Sequence, residues 1–222
     1  MSSDMPLQTL IQSYGCPVWM GISIPMIITD PSVCLVWYPH RGCLNSEPLL
    51  SPSHFLLIWK IWGNRLRIHE QLKMVDWKLA SACFLCRKTE ENYNHIFLQC
   101  TFAVEIWCYL LQCFGMTYSL QGSICDFLHG LVEMNRSSQV HNLLLASAVV
   151  TTHYVWVAHN STAFNRQPLS LHGGVVTIHK MIQNASQLQI GLMFNDVSDM
   201  KVFFSLGVAG KSRKPPVWKN FR

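Results

Sequence analysis

Cys83-Phe84-Leu85-Cys86-Arg87-Lys88-Thr89-Glu90-Glu91-Asn92-Tyr93-Asn94-His95-Ile96-Phe97-Leu98-Gln99-Cys100 is the stretch on which the reading of this chain turns. Two cysteines separated by two residues can place both sulfurs on one metal from a single tight turn. A histidine and a third cysteine five positions apart can complete the tetrahedron from the opening of a following helix. Three thiolates and one imidazole leave no open coordination position. The spacing therefore predicts a structural zinc ion on Cys83, Cys86, His95 and Cys100, and no catalytic metal. A core of buried free thiols with an exposed histidine satisfies the same pattern, because the chain holds nine Cys and ten His. Arg87 and Lys88 follow the Cys pair closely enough to moderate the charge of three thiolates. Glu90 and Glu91 read as surface residues.

Upstream, Phe55, Ile58, Trp59 and Trp62 recur at three and four, the spacing of one helical face, and Gly63-Asn64 is a stop signal. A second short helix is expected from about Ile68 to Met74, with Leu72 and Val75 inward. Seven cations lie in this region, Lys60, Arg65, Arg67, Lys73, Lys78, Arg87 and Lys88, against Glu70 and Asp76 as acids up to Lys88. Interleaved with Trp59, Trp62 and Trp77, they could track a phosphate backbone while rings stack on bases. The same residues also fit packed tryptophans beneath a solvated cationic face. Lys60, Arg65, Arg67, Lys73, Arg87 and Lys88 are the candidate nucleic-acid contacts.

Downstream, Phe102, Val104, Ile106, Trp107, Leu110, Leu111 and Phe114 predict a mostly buried helix ending at Gly115. Thr117 to Asp126 reads as a loop, and Phe127-Leu128 with Leu131-Val132 as a short helix. A longer helix from about Val140 to Thr162 would place Leu144, Ala148, Thr151, Val155 and Ala158 on its seam. Another from Leu171 to Leu188 would bury Val175, Ile178, Ile182 and Ala185. The expected fold is mainly α: a small zinc-stabilised helical domain with a helical extension and an irregular N-terminus. Its parts are an irregular segment at 1–50, a zinc-binding domain at 51–115, the extension at 116–195 and a flexible basic tail at 196–222. Pro6, Pro17, Pro25, Pro31, Pro39 and Pro48 forbid a long helix in the first part.

The chain has 222 residues, half of them apolar and 13% charged, with a formal charge of +5. It does not read as disordered, and its mild basicity permits a nucleic-acid partner without requiring one. The start lacks a basic stretch followed by an apolar run, so no cleavable signal is expected. A reducing intracellular setting follows, with Cys16, Cys34, Cys43, Cys108, Cys113 and Cys125 as free thiols. No stretch reads as a membrane span: Pro25, Asp30 and Pro31 break the run from Pro17 to Tyr38, and Leu143 to Val157 is short and carries His153. A polymerase needs paired acids for two metals, and Asp196 and Asp199 have no third acid nearby. No spacing recommends a Cys/His nucleophile pair either, so the chain is not expected to be an enzyme, and no small-molecule substrate is expected.

Phe55-Leu-Leu-Ile-Trp59, Asn64-Arg-Leu66, Gln71-Leu72, Cys83 and Cys86, Glu90-Glu91, Asn94-His95-Ile-Phe97, Cys100, Phe102-Ala103 and Ile106-Trp107 stand in an order that resembles the zinc-binding domain following the polymerase in plant non-LTR retrotransposon reverse transcriptases. Ser51-Pro-Ser-His54 departs from that family's Pro-Pro-Lys-Val-like opening. Tyr154-Val-Trp156, His159-Asn160 and Phe164 resemble the family's downstream helix, with His159 where Arg is usual. Lys211-Ser-Arg-Lys-Pro215-Pro216-Val-Trp218 to Phe221 looks like the lead-in to a ribonuclease H-like domain. The resemblance implies a retrotransposon-derived fragment that lacks the catalytic parts, binds RNA or DNA or supports a neighbouring catalytic domain, and resides in the nucleus. A zinc-stabilised protein-interaction scaffold and a non-functional relic are the other two readings.

Overall fold

The computed structural model describes residues 50–73, 82–117, 122–164, 167–188, 191–194 and 196–212. Among these the chain is helical, with no strand: α1 (Pro52–Trp62), α2 (His69–Lys73), a π-helical turn (His95–Gln99), α3 (Thr101–Cys113), α4 (Ile124–Val132), α5 (Ser138–Phe164), α6 (Leu171–Leu188) and α7 (Val197–Leu206). The mainly α expectation holds. Cys16, Cys34, Cys43, Met74, Val75, Trp77, Lys78 and the motif from Arg213 to Phe221 lie outside the described residues.

The molecule is arranged around α5, which packs against α6, α1, α3, α4 and the π-helical turn. Leu144, Ala148, Thr151, Val155 and Ala158 are buried, as their spacing predicts, but so are Leu145, Ala146, Val149, Val150 and Thr152 on its other sides. A helix that is apolar all round must be enclosed. At 27 residues it is long and apolar enough to cross a membrane, contrary to the shorter segment expected from the sequence. Two-thirds of that apolar window (67%) is buried inside the fold, which accounts for its composition. One core cluster runs from Leu50 to Leu206, so the zinc-binding part and the helical extension share an interior.

Three expectations change. The inward face of α1 is His54, Leu57, Ile58 and Ile61; Phe55 and Trp59 are half-buried and Trp62 is 44% exposed. The helix is rotated about one residue, 100°, from the face its aromatic spacing suggested, which turns Leu57, Ile58 and Ile61 into the core. Asp126 belongs to α4 and not to a loop: Ser123 Oγ accepts from the Asp126 amide at 3.1 Å while Asp126 Oδ2 accepts from the Ser123 amide at 3.2 Å, a capping box. The expected flexible tail opens with α7. Asp196 caps it by accepting from the Asp199 amide at 2.7 Å, Gly207 closes it with φ 60°, and Val202, Phe203 and Leu206 are buried.

The first turn of α5 is tied to segments far away in sequence, beginning with the Gln139 amide, which donates to Leu192 O at 3.2 Å. Ser138 Oγ donates to Leu192 O at 3.1 Å, and Gln139, fully buried, donates to Ala209 O at 2.9 Å and accepts from the Lys211 amide at 2.6 Å. Gly191 is what lets this junction close, since a Cβ there would stand 2.8 Å from the backbone of Ser138 and Gln139. Backbone cannot rotate away as a side chain can. Gly191→Ala is expected to lower stability by about 1–3 kcal/mol, read as a fall in denaturation midpoint at unchanged slope.

Candidate metal centre

The Cys83-Phe84-Leu85-Cys86 turn forms because the chain reverses there: Ala82 pairs with Glu90 in an isolated antiparallel bridge, and the Cys83 amide donates to Thr89 O at 2.9 Å. Arg87 takes the left-handed conformation, φ 56°, and its amide donates to Cys83 O at 2.8 Å. The amides of Leu85 and Cys86 are thereby aimed at the Cys83 sulfur and favour its thiolate.

His95 and Cys100 come from the π-helical turn. At 100° per residue an α-helix would carry a residue five positions on about 140° away from the first. The wider turn, closed by the Cys100 amide donating to His95 O at 2.6 Å, brings both to one side. The sequence placed these ligands at the opening of a helix; the local distortion is what makes five a workable spacing. Asn92 Oδ1 accepts from the His95 amide at 2.8 Å, and Trp107 Nε1 donates to Phe97 O at 2.8 Å, so the turn is held at its start and its middle. Cys100 sits just before α3, where the amides of Phe102 and Ala103 favour its thiolate.

The four ligand atoms all lie within 4.8 Å of one another. Cys83 Sγ is 3.9 Å from Cys100 Sγ, and Cys86 Sγ is 3.2 Å from His95 Nε2. With zinc bonds of about 2.0–2.3 Å, the edges of a tetrahedral site are roughly 3.5–3.8 Å, so small side-chain rotations would seat the ion. Cys83 and Cys100 are fully buried and His95 is 4% exposed. The Cys100 hydrogen bond and burial push the Cys83 thiol far up, while the Cys83 hydrogen bond pulls Cys100 down. Two sulfurs so close favour a cation between them, which would stabilise both as thiolates. Burial pulls His95 down, which keeps its imidazole neutral and its lone pair free. The free-thiol alternative predicted an exposed histidine, and His95 is buried among the sulfurs. The cluster fits structural zinc.

A second constellation adjoins the centre, and sequence reasoning missed it. Glu91, expected at the surface, is 2% exposed. Its Oε2 lies 2.8 Å from His159 Nε2 and 3.5 Å from His69 Nδ1, and its Oε1 accepts from the His69 amide at 3.0 Å. Phe84, inside the Cys turn, packs against both imidazoles, and Trp156 stacks on His159 at 5.6 Å. Burial pushes the Glu91 carboxyl up, but the His159 hydrogen bond, the His69 amide and both imidazoles outweigh it and leave it below its ordinary value. His159 therefore clasps the metal-bearing block to α5. It stands 68 positions from Glu91, and no local pattern announces the pair.

The candidate nucleic-acid residues separate into two groups. Lys60, Arg65 and Arg67 line one groove between α1 and α5, and the Arg65 guanidinium lies 4.8 Å over the Trp59 ring. Lys73 is paired with Glu90 instead. Arg87 and Lys88 are exposed on the Cys turn, outside that groove. Cys108, Cys113 and Cys125 are free thiols, as expected.

No curated protein and no solved structure gives a significant match to the chain. Residues 45–107, less than a third of it, match the family model described as zinc-binding in reverse transcriptase. All four ligands lie inside the matched span, so this part of the chain is similar to the zinc-binding domain of a reverse transcriptase.

Proposed function

We propose that the chain is a non-catalytic zinc-binding fragment of a retrotransposon-derived reverse transcriptase of the plant non-LTR kind, and that it binds nucleic acid beside a catalytic domain. The observation that carries the metal half of this reading is the convergence of Cys83, Cys86, His95 and Cys100 inside the span of the family match. A closed set of four protein ligands has no position for substrate or reactive water, so zinc serves the fold. The nucleic-acid half is supported by Lys60, Arg65 and Arg67 around one groove, where no described carboxylate forms an ion pair with any of them.

Binding of RNA and DNA by the zinc-loaded chain should weaken steeply as salt rises. Arg65→Ala and Arg67→Ala should each lower affinity, and Lys73→Ala less, because Lys73 is already neutralised by Glu90. A titration followed by fluorescence anisotropy at several salt concentrations checks this. Binding that ignores salt, or is undetectable, would favour the protein-interaction scaffold. That second reading is supported by one stripe of α7, where Val197, Met200 and Phe204 are 68%, 60% and 90% exposed.

A further inference from the structure

We infer that the groove between α1 and the C-terminal half of α5 is a site for single-stranded nucleic acid, with Phe164 as its base-stacking platform and Lys60, Arg65 and Arg67 as its phosphate contacts. The inference rests on the nucleic-acid reading above and adds strandedness, place and residues.

The groove has a volume of about 490 Å³, within the roughly 300–1,000 Å³ that small ligand groups occupy. Its walls differ in character. The α1 side and the loop after it carry three cations, Arg65 and Arg67 exposed and Lys60 half-buried. The α5 side carries His153, Trp156 and Phe164. No described carboxylate lines it. His153 stacks on His54 at 4.0 Å and is pushed down to about 4 by burial first and then by His54. At neutral pH the floor is therefore uncharged, and the positive charge stands at the rim. A charged rim beside an uncharged aromatic wall suits a polyanion that also presents flat apolar rings.

Phe164 decides strandedness. It is 80% exposed at the last position of α5, where no packing among the described residues accounts for a phenyl ring. The Trp156 ring cannot share the task, because His159 stacks on it at 5.6 Å and Phe97 at 6.1 Å. A free phenyl ring stacks directly on a base that is out of a duplex, whereas in a duplex it must first wedge the base steps apart at a cost in unstacking. Arg65 Cζ lies 4.8 Å from the Trp59 ring centroid, a contact that limits the freedom its guanidinium must lose on meeting a phosphate or a base face.

The test uses the zinc-loaded full chain and fluorescein-labelled oligonucleotides of one sequence as single-stranded RNA, single-stranded DNA and duplex DNA. At least one single strand should bind tenfold or more tightly than the duplex. Phe164→Ala should weaken single-strand binding by between about fivefold and about a hundredfold, with Phe164→Tyr restoring it. Replacing Lys60, Arg65 and Arg67 together by Gln should reduce the slope of log affinity against log salt by about 2. Equal affinity for duplex, or an unchanged affinity in Phe164→Ala, overturns the inference. If nucleic acid binds and only Arg87→Gln with Lys88→Gln weakens it, the groove assignment fails while the broader reading stands. If no nucleic acid binds at all, both fall.

Discussion

Cys100→Ser, or chelation of the metal, is expected to unfold the region from the Cys turn through α3 and not merely to soften it. Between Ala82 and Cys100 the described backbone has only an isolated bridge and one π-helical turn. Yet Cys83, Ile96, Phe97, Leu98 and Cys100 are fully buried there. A segment with so little regular hydrogen bonding holds a buried position only if something else fixes it, and the four ligands do so. Structural zinc in small domains is worth about 10–16 kcal/mol, comparable to the whole stability of an ordinary domain, about 5–15 kcal/mol. Trp107 and Phe97 then lose the surface they pack on, and α5 loses part of its cover. Far-UV circular dichroism and thermal melting of zinc-loaded and chelated protein should differ by loss of helix and of the cooperative transition. Cys108→Ser, at a half-buried thiol outside the cluster, should shift the midpoint only slightly.

Glu91→Ala is the second large effect. Glu91 accepts from His159 and from the His69 amide in a site 2% exposed, so removing the carboxylate strands two buried donors. The Nδ1 atoms of both imidazoles are buried without a hydrogen-bond partner, so no spare bond compensates. Leaving such donors without an acceptor costs about 1–3 kcal/mol each, and His159→Ala should be strongly non-additive with it. The pH dependence has a definite sign. The carboxyl is held below its ordinary value of 4.5, so its contribution is present above that pH and lost as pH falls through the lower folded value. In urea titrations across pH, the difference between wild type and Glu91→Gln should therefore shrink on the acid side. An unchanged difference from neutral pH down to the acid limit would remove Glu91 from this role.

What the sequence disclosed follows from how local each signal was. The ligands were legible because their spacing lies within eighteen residues and depends on turn geometry alone. Leu171–Leu188 was legible because Ile178, Ile182 and Ala185 leave one apolar seam on an otherwise mixed helix, though Val175, expected in that seam, is only half-buried. The face of α1 was not, because Phe55 through Trp62 is apolar nearly all round and periodicity cannot choose among its sides. In α7 the apolar residues point both ways, Val202, Phe203 and Leu206 inward and Val197, Met200 and Phe204 outward, so no stripe stood out. Glu91 looked like a surface acid because its partner is supplied by α5, and only tertiary structure joins them. His159, where the resembling family has Arg, is a buried clasp beside the metal centre.

The central claim is that Cys83, Cys86, His95 and Cys100 share one zinc ion. X-ray absorption spectroscopy at the zinc edge, on chain purified without added metal and assayed for metal content, tests it most directly. The account predicts one zinc per chain, with three sulfurs at about 2.3 Å and one nitrogen at about 2.0–2.1 Å. A folded protein without zinc, or a zinc shell dominated by oxygen, would contradict it.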